Sequence, residues 1–443
     1  MKKKSITKKL NILDCTFRDG GYYNNWNFSI NLIKKYINIM TRLDVNIVEL
    51  GFRFLDPNAN LGPLAKTSDK LLKDLNIPKT LKIAVMINAK EFLNHPNGKI
   101  NALNTVFQNS TKSRVDLIRV AININSALES YDILKHLNSL GYSVALNLMQ
   151  SSSVSDKKFI SIIKKIEKWK FLRIIYFADT FGDMSPNKVI ELSKLMKKFF
   201  SGDVGFHAHD NKGFALINSI TAINNGITYV DSTVMGMGRG AGNTRTENLL
   251  IELESLSLVK NKNTVNNLLP ILLRDFALLK DKYNWGTNLY YYLAAEYKIH
   301  PTYIQTMLDD RKYVSEGIVN TISFLKNVNS SSYNDENMVK AESGKVGSLK
   351  GKWNAKNLRR NRDILLIGAG NNVKKYIIQI QNYIKKMKPV VVSLNVNKFL
   401  SSEYINYYLA CDQTRIILEA YDFINFDKPI IIPLSRVEND IKK

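Results

Sequence analysis

Apolar, β-branched runs recur through the first 235 or so residues, at 11–16, 45–51, 81–87, 116–122, 142–148, 173–178, 203–207 and 228–234. Short continuous runs bounded by turn residues read as strands buried on both faces. Between most of them, apolar positions return at the three-and-four spacing of an amphipathic helix, over 30–43, 127–140, 156–168, 187–200 and 214–225. Eight such strands with helical crossovers in roughly 250 residues have the rhythm of an α/β (β/α)8 TIM barrel. A doubly wound sheet shares the βαβ alternation, but the count of eight favours the barrel.

Polar residues gather where the apolar runs end. Arg18 and Asp19 follow the first, Glu49 ends the second, Arg119 lies in the fourth and Asn147 in the fifth. Asp179 and Thr180 close the sixth, and His207 and His209 close the seventh. In a parallel barrel these ends share one face, where the active site is built. Residues two apart on a strand project to the same side, so His207 and His209 aim two imidazoles at one point. The chain has only 5 His, and a pair held on a rigid strand is half of a divalent-metal site. Asp19 supplies a matching carboxylate. One hard oxygen and two nitrogens, with an amide oxygen from Asn243, suit Mn²⁺ or Mg²⁺ better than Zn²⁺.

From about residue 255 the rhythm turns helical, through 256–283 and 288–297, and then reaches His300-Pro301-Thr302-Tyr303. The expected layout is a barrel over 10–255, a helical subdomain over 256–326, a polar linker over 327–360 and a small Rossmann-like α/β unit over 361–443. In that last unit a strand at 364–367 runs into Gly368-Ala369-Gly370, followed by a helix to about 386 and a strand at 389–395. Apolar runs at 414–418 and 429–433 are read as two further strands. A Gly-x-Gly turn here closes a strand–helix unit in its plainest reading, with a nucleotide or nucleotide-sugar as the second.

Composition narrows the class. The chain has 443 residues, 45% of them hydrophobic, and no stretch approaches the ~18 apolar residues of a membrane span. Asn11 and Asp14 break the apolar run that a signal peptide would need after the basic start. Cys15 and Cys411 lie far apart and form no framework, so a reducing, cytoplasmic setting is expected. The net charge of +24 is spread along the whole chain, Lys-rich and accompanied by much Asn and Ile, as in AT-rich genomes. Nucleic acid is therefore not the expected partner, and the basic run 356–362 belongs to the linker.

Four motifs occur in order: Leu13-Asp14-Cys15-Thr16-Phe17-Arg18-Asp19-Gly20, Ala178-Asp179-Thr180-Phe181-Gly182, His207-Ala208-His209, and Gly236-Met237-Gly238-Arg239-Gly240-Ala241-Gly242-Asn243. Together they resemble the signatures of the DRE-TIM metallolyase (HMGL-like) superfamily over residues 10–255. The chain is most similar to the 4-hydroxy-2-oxovalerate aldolase branch. The resemblance implies a metal-dependent carbon–carbon lyase that forms an enolate from a pyruvate-like 2-oxoacid and cleaves or condenses it with an aldehyde. It implies a metal on Asp19, His207, His209 and Asn243, with Arg18 stabilising the enolate and Thr180 holding the oxoacid carboxylate. Glu49 and Asp179 would support ligands or handle protons. Beside the resemblance, Arg119 and Asn147 are read as substrate contacts from their place on the strands, and Gly238 and Arg239 as a cradle for a substrate carboxylate or phosphate, since such barrels bind anions near the last two strands. A homo-oligomer and a role in surface-polysaccharide synthesis are further expectations.

One departure stands out. Where the aldolases carry a catalytic histidine, this chain has Tyr22, whose phenol titrates near about 10 in water. Either Tyr22 with Tyr23 donates or relays the proton, or His300 has become the base. No lysine ends a barrel strand, Lys212 lying beyond the seventh, so a metal route is preferred to a Schiff base. Loop 236–243 has no cysteine, which sets aside hydroxymethylglutaryl-CoA lyase activity. Two alternatives stay open: a Claisen-type acyl-CoA synthase of the isopropylmalate synthase class, and a non-catalytic barrel serving as a binding or scaffold protein.

Overall fold

Eight parallel strands close on themselves in chain order: β1 (Asn11–Asp14), β2 (Ile47–Phe52), β3 (Lys82–Asn88), β4 (Leu117–Asn123), β5 (Ser143–Met149), β6 (Ile174–Asp179), β7 (Asp203–Ala208) and β8 (Tyr229–Ser232). β8 returns to β1 with Asp14 opposite Ser232, which completes a TIM barrel. The computed structural model describes residues 9–55, 60–259, 264–310, 313–342, 362–425 and 428–433. It divides into two compact units, Met1–Gln305 and Thr306–Lys443.

Strand parity sorts the barrel's side chains. Ile12, Val48, Leu50, Ile83, Val85, Ile118 and Val120 point outward into the layer shared with the helices. Leu13, Ile47, Ala84, Leu117, Ala145, Ile174 and Tyr176 point inward and fill the barrel. The helices start where serines can accept an otherwise unpaired backbone N–H: Ser29 before Ile30–Met40, Ser155 before Asp156–Ile166 and Ser185 before Pro186–Phe199. Each then buries one apolar stripe, as Leu32, Ile33, Tyr36, Ile37 and Met40 do in the first.

Gly205, just before the His-x-His pair, has a packing reason. It lies opposite Tyr176, and a Cβ there would fall 2.3 Å from the tyrosine ring. Helices Leu289–Glu296 and Pro301–Asp309 follow the barrel. The chain between them and the barrel is fastened to the mouth: Trp285 Nε1 donates to the Met235 carbonyl, and the Thr287 hydroxyl to that of Asp210.

The second unit carries helices Ser315–Leu325 and Asp335–Glu342 and a parallel sheet of β9 (Ile364–Ile367), β10 (Val390–Leu394), β11 (Tyr407–Leu409) and β12 (Ile430–Ile431). The expected linker thus contains a helix, and its stretch 343–360 lies outside the described residues. The run at 414–418, expected as a strand, is the helix Gln413–Leu418, because the Asp412 carboxylate caps it by accepting the Arg415 N–H. The third strand is β11 instead. Among the described residues the strands lie side by side in chain order, without the reversal at which dinucleotide folds open their cleft. Asn397 donates to the Gly368 carbonyl and ties the Gly-x-Gly turn to the next loop. No helix among the described residues is long and apolar enough to cross a membrane.

Candidate active site

Helix Thr16–Gly20 begins directly after β1 and swings Arg18 and Asp19 over the barrel mouth. Its base is fixed by Asp14, an outward-facing buried carboxylate that accepts from the Thr16 N–H and hydroxyl, the Tyr36 hydroxyl and the Thr246 hydroxyl. Arg18 then bridges two acids, with Nη1 2.6 Å from Asp19 Oδ1 and Nε 2.7 Å from Glu49 Oε2. Burial alone would raise the Asp19 carboxyl. Arg18, His207 and His209 together hold it well below the ordinary carboxylate range.

β7 and the Gly236–Asn243 loop bring the remaining donors to Asp19. His207 Nε2 lies 3.4 Å from Asp19 Oδ2, and the His207 and His209 rings stand 5.0 Å apart, nearly perpendicular. Asn243 forms an isolated bridge with His209 and donates from Nδ2 to the Ala208 carbonyl, which leaves its Oδ1 free. Burial pushes His209 down to about 3, keeping its ring in the neutral form that ligates metals. Burial also opposes protonation of His207, but the flanking Asp19 and Asp231 outweigh it and raise the ring.

These residues fit a divalent cation. Asp19 Oδ2, His209 Nδ1 and Asn243 Oδ1 are buried and have no hydrogen-bond partner. A Cβ on Gly238 would fall 1.7 Å from Asn243 Oδ1 and 3.3 Å from Asp19 Oδ2, so a glycine is required against this cradle. His207 Nδ1 is 2.8 Å from Asp231 Oδ2, the carboxylate–histidine pairing that orients a ligating imidazole. Asp231 is a functional candidate missing from the sequence reading. Its inward parity on β8, two residues after Tyr229, was the available signal. Cys15 also comes within 4.8 Å of Asp19 and His207 atoms. Burial pushes its thiol well above the usual range, and a protonated sulfur is a poor donor to a hard cation.

Other expected residues sit elsewhere. Arg119 and Asn147, anticipated at the substrate, belong to a layer inside the barrel. Arg119 gives Nη1 to Glu49 at 3.0 Å, Nη2 to Asp231 at 2.5 Å and Nε to Asn147 at 3.3 Å, and lies 4.2 Å over the Tyr176 ring. With every nitrogen engaged and no exposure, it is not placed to take up a ligand. Asp179 follows Ala178, the register partner of His207, and so faces away from the metal cradle. It accepts the N–H groups of Asp183 and Met184 and shapes the loop after β6. Thr180 Oγ1 accepts the Gln150 N–H at 2.7 Å and keeps its own hydrogen to donate.

The two proton-transfer candidates each neighbour Arg239 at the rim. The Tyr22 ring packs edge-on to Trp26 with Arg239 5.3 Å over its face, and burial raises its phenol, so it stays protonated. His300 begins the Pro301–Asp309 helix, whose first residue abuts Gly240; a Cβ on that glycine would fall 2.9 Å from Pro301. Burial and then the charges of Arg239 and His209 push His300 down to about 2.

A closed parallel barrel with a buried carboxylate–imidazole–amide cluster and an arginine beside it is a TIM barrel with a candidate metal site at its mouth. The HMGL-like family model matches residues 9–271, more than half of the chain, and the chain belongs to that family. A 4-hydroxy-2-oxovalerate aldolase from Geobacillus thermodenitrificans is 27% identical over 251 residues, covering 56% of this chain and 70% of the relative. The enzyme of the same name from Carboxydothermus hydrogenoformans is 28% identical over 254 residues, covering 57% and 72%. A solved N-terminal domain of a provisionally assigned aldolase from Bacteroides vulgatus is 35% identical with a TM-score of 0.60, covering 68% of this chain and 96% of its own. The carboxyl transferase domain of Rhizobium etli pyruvate carboxylase, 13% identical with a TM-score of 0.60 over 76% of this chain and 61% of its own, shares the fold. Over its barrel the chain is thus similar to enzymes named 4-hydroxy-2-oxovalerate aldolase.

Proposed function

We propose that the barrel mouth forms the enolate of a pyruvate-like 2-oxoacid and joins it to, or releases it from, an aldehyde. The observation that carries this reading is the buried cluster of Asp19, His207 and Asn243 beside Arg18, in which Asp19 Oδ2 and Asn243 Oδ1 lie against Gly238 with no hydrogen-bond partner. Asp19, His207, His209 and Asn243 would hold Mn²⁺ or Mg²⁺, which when bound supplies Lewis acidity at the 2-oxo group. Arg18 keeps Nη2 buried and unpartnered, ready to donate to the oxygen on which charge develops. Glu49 fixes that guanidinium from below. Thr180 donates its hydroxyl to the oxoacid carboxylate.

In the condensing direction a methyl proton of the oxoacid passes to a base, and its carbon bonds to the aldehyde carbon. The aldehyde oxygen then takes up a proton, with no change of redox state. Tyr22, held as a phenol, is the proton donor. Of the two candidates only His300 offers an unprotonated nitrogen as acceptor, and its burial makes it a weak base. The test is proton NMR of pyruvate in D₂O with Mg²⁺-loaded protein. Loss of the methyl signal, reversed by chelation and reduced to background in Asp19→Asn, is the expected result. Metal binding without exchange would overturn the pyruvate-enolate reading.

A further inference from the structure

The fully buried arginines of the barrel unit each hold a carboxylate, and one half-buried arginine at its rim does not. Arg18 faces Asp19 and Glu49, Arg119 faces Glu49 and Asp231, and Arg53 donates to Asp69 at 2.6 Å as well as to the Thr67 and Val106 carbonyls. Arg239 has no carboxylate partner among the described residues, and its Nε is buried without any hydrogen bond. A half-buried guanidinium with an unpartnered donor at the mouth of a ligand site is matched by an incoming anion.

The loop that carries it is held still. Gly238 is pressed against Asn243, while the Gly240 N–H donates to Gln305 Oε1 at 3.3 Å and the Gly240 carbonyl accepts from the Tyr23 hydroxyl at 2.6 Å. Gln305 Nε2 also donates to the Tyr22 carbonyl at 3.2 Å, so one buried amide joins the Arg239 loop to the turn bearing Tyr22. Arg239 itself rests over the Tyr22 ring. The guanidinium is thus preorganised rather than waving in solvent.

We propose that Arg239 forms a subsite for a carboxylate or phosphate group on the aldehyde partner. The inference rests on the enolate reading above and adds the chemical class of the acceptor. The oxoacid's own carboxylate is bonded to its 2-oxo carbon, so it must sit with that carbon at the Asp19 cradle and Thr180. Arg239, half-open to solvent against the Tyr22 face, lies where a second reactant enters.

The experiment compares kcat/KM for matched aldehydes with pyruvate and the Mg²⁺-loaded full chain: succinic semialdehyde against butanal, and glycolaldehyde phosphate against glycolaldehyde. A preference for the anion of at least about tenfold is expected, the scale of one charge-assisted hydrogen bond. In Arg239→Gln the ratio should fall toward one, and Arg239→Lys should keep part of it; using the ratio cancels any general loss of rate. A preference in one pair alone identifies carboxylate or phosphate as the group recognised. Equal rates in the wild type, an unchanged ratio in Arg239→Gln, or no condensation with either anion overturns the subsite while leaving pyruvate exchange intact. Should wild-type exchange itself fail, the enolate reading falls separately. The subsite is then judged by calorimetric binding of the two anionic aldehydes, where equal affinity in wild type and Arg239→Gln overturns it.

Discussion

The interior layer around Arg119 and the rim around Arg239 are built from the same chemistry and do opposite things. Both place a guanidinium against an aromatic ring, Tyr176 in one case and Tyr22 in the other. Inside, the arginine hands every nitrogen to a fixed acceptor, and the layer is shut. At the rim, the arginine keeps a buried donor without an acceptor. Buried polarity alone therefore does not mark function in this barrel. What separates the layers is whether the protein itself has supplied the partner.

The contrast is tested most severely by removing each arginine in turn. Arg119→Met leaves Glu49 and Asp231 facing each other across the barrel without their shared cation. Removing one side of a buried ion network of this kind costs about 3–5 kcal/mol, and urea unfolding should show it. Arg239→Gln breaks no protein–protein ion pair and should cost under about 1 kcal/mol. Comparable losses in the two variants would mean that the rim arginine is also structural.

Asp231 belongs to both layers, since one oxygen serves Arg119 and His207 together. Asp231→Asn retains an acceptor for Arg119 but weakens the carboxylate that orients His207. Mn²⁺ affinity should drop by about 10- to 100-fold, the usual cost of losing such a supporting acid, with unfolding stability changed far less. Calorimetric titration decides it. Unaltered affinity would confine Asp231 to the interior layer.

The difference between these layers explains what the sequence could disclose. The barrel was legible because strands buried on both faces are written as unbroken apolar runs, and observed strand ends fall within a few residues of those runs. Asp19, His207, His209 and Asn243 stood out because chemically special residues at strand ends are what a metal cradle would need, and the fold brings Asp19, His207 and Asn243 together. Arg119 and Asn147 looked equally special. Only their partners, Glu49 and Asp231 on other strands, reveal that their bonds are already made. Asp179 was misleading because parity must be carried across a strand pair: once Ala178 is known to lie beside His207, the next residue has to face outward. Gln305 was out of reach altogether, since its contact with Tyr22 spans 283 positions of sequence.

The smallest effect concerns His300, which meets the rim from beyond the barrel. Its surroundings are burial, Arg239 and His209, with no carboxylate contributing, and they push it down to about 2 from a usual value of 6.5. The sign follows from proton uptake. Below about pH 6.5 the unfolded chain binds a proton at this position that the folded chain refuses, so stability is fully present above that pH and declines as pH falls. The limiting slope for one group is about 1.4 kcal/mol per pH unit. His300→Gln removes this group from both states, and its unfolding free energy should therefore fall less steeply than the wild type's between pH 7 and 5. Parallel slopes for wild type and His300→Gln would mean that His300 stands in water rather than at the closed edge of the site, and would remove it as the proton acceptor.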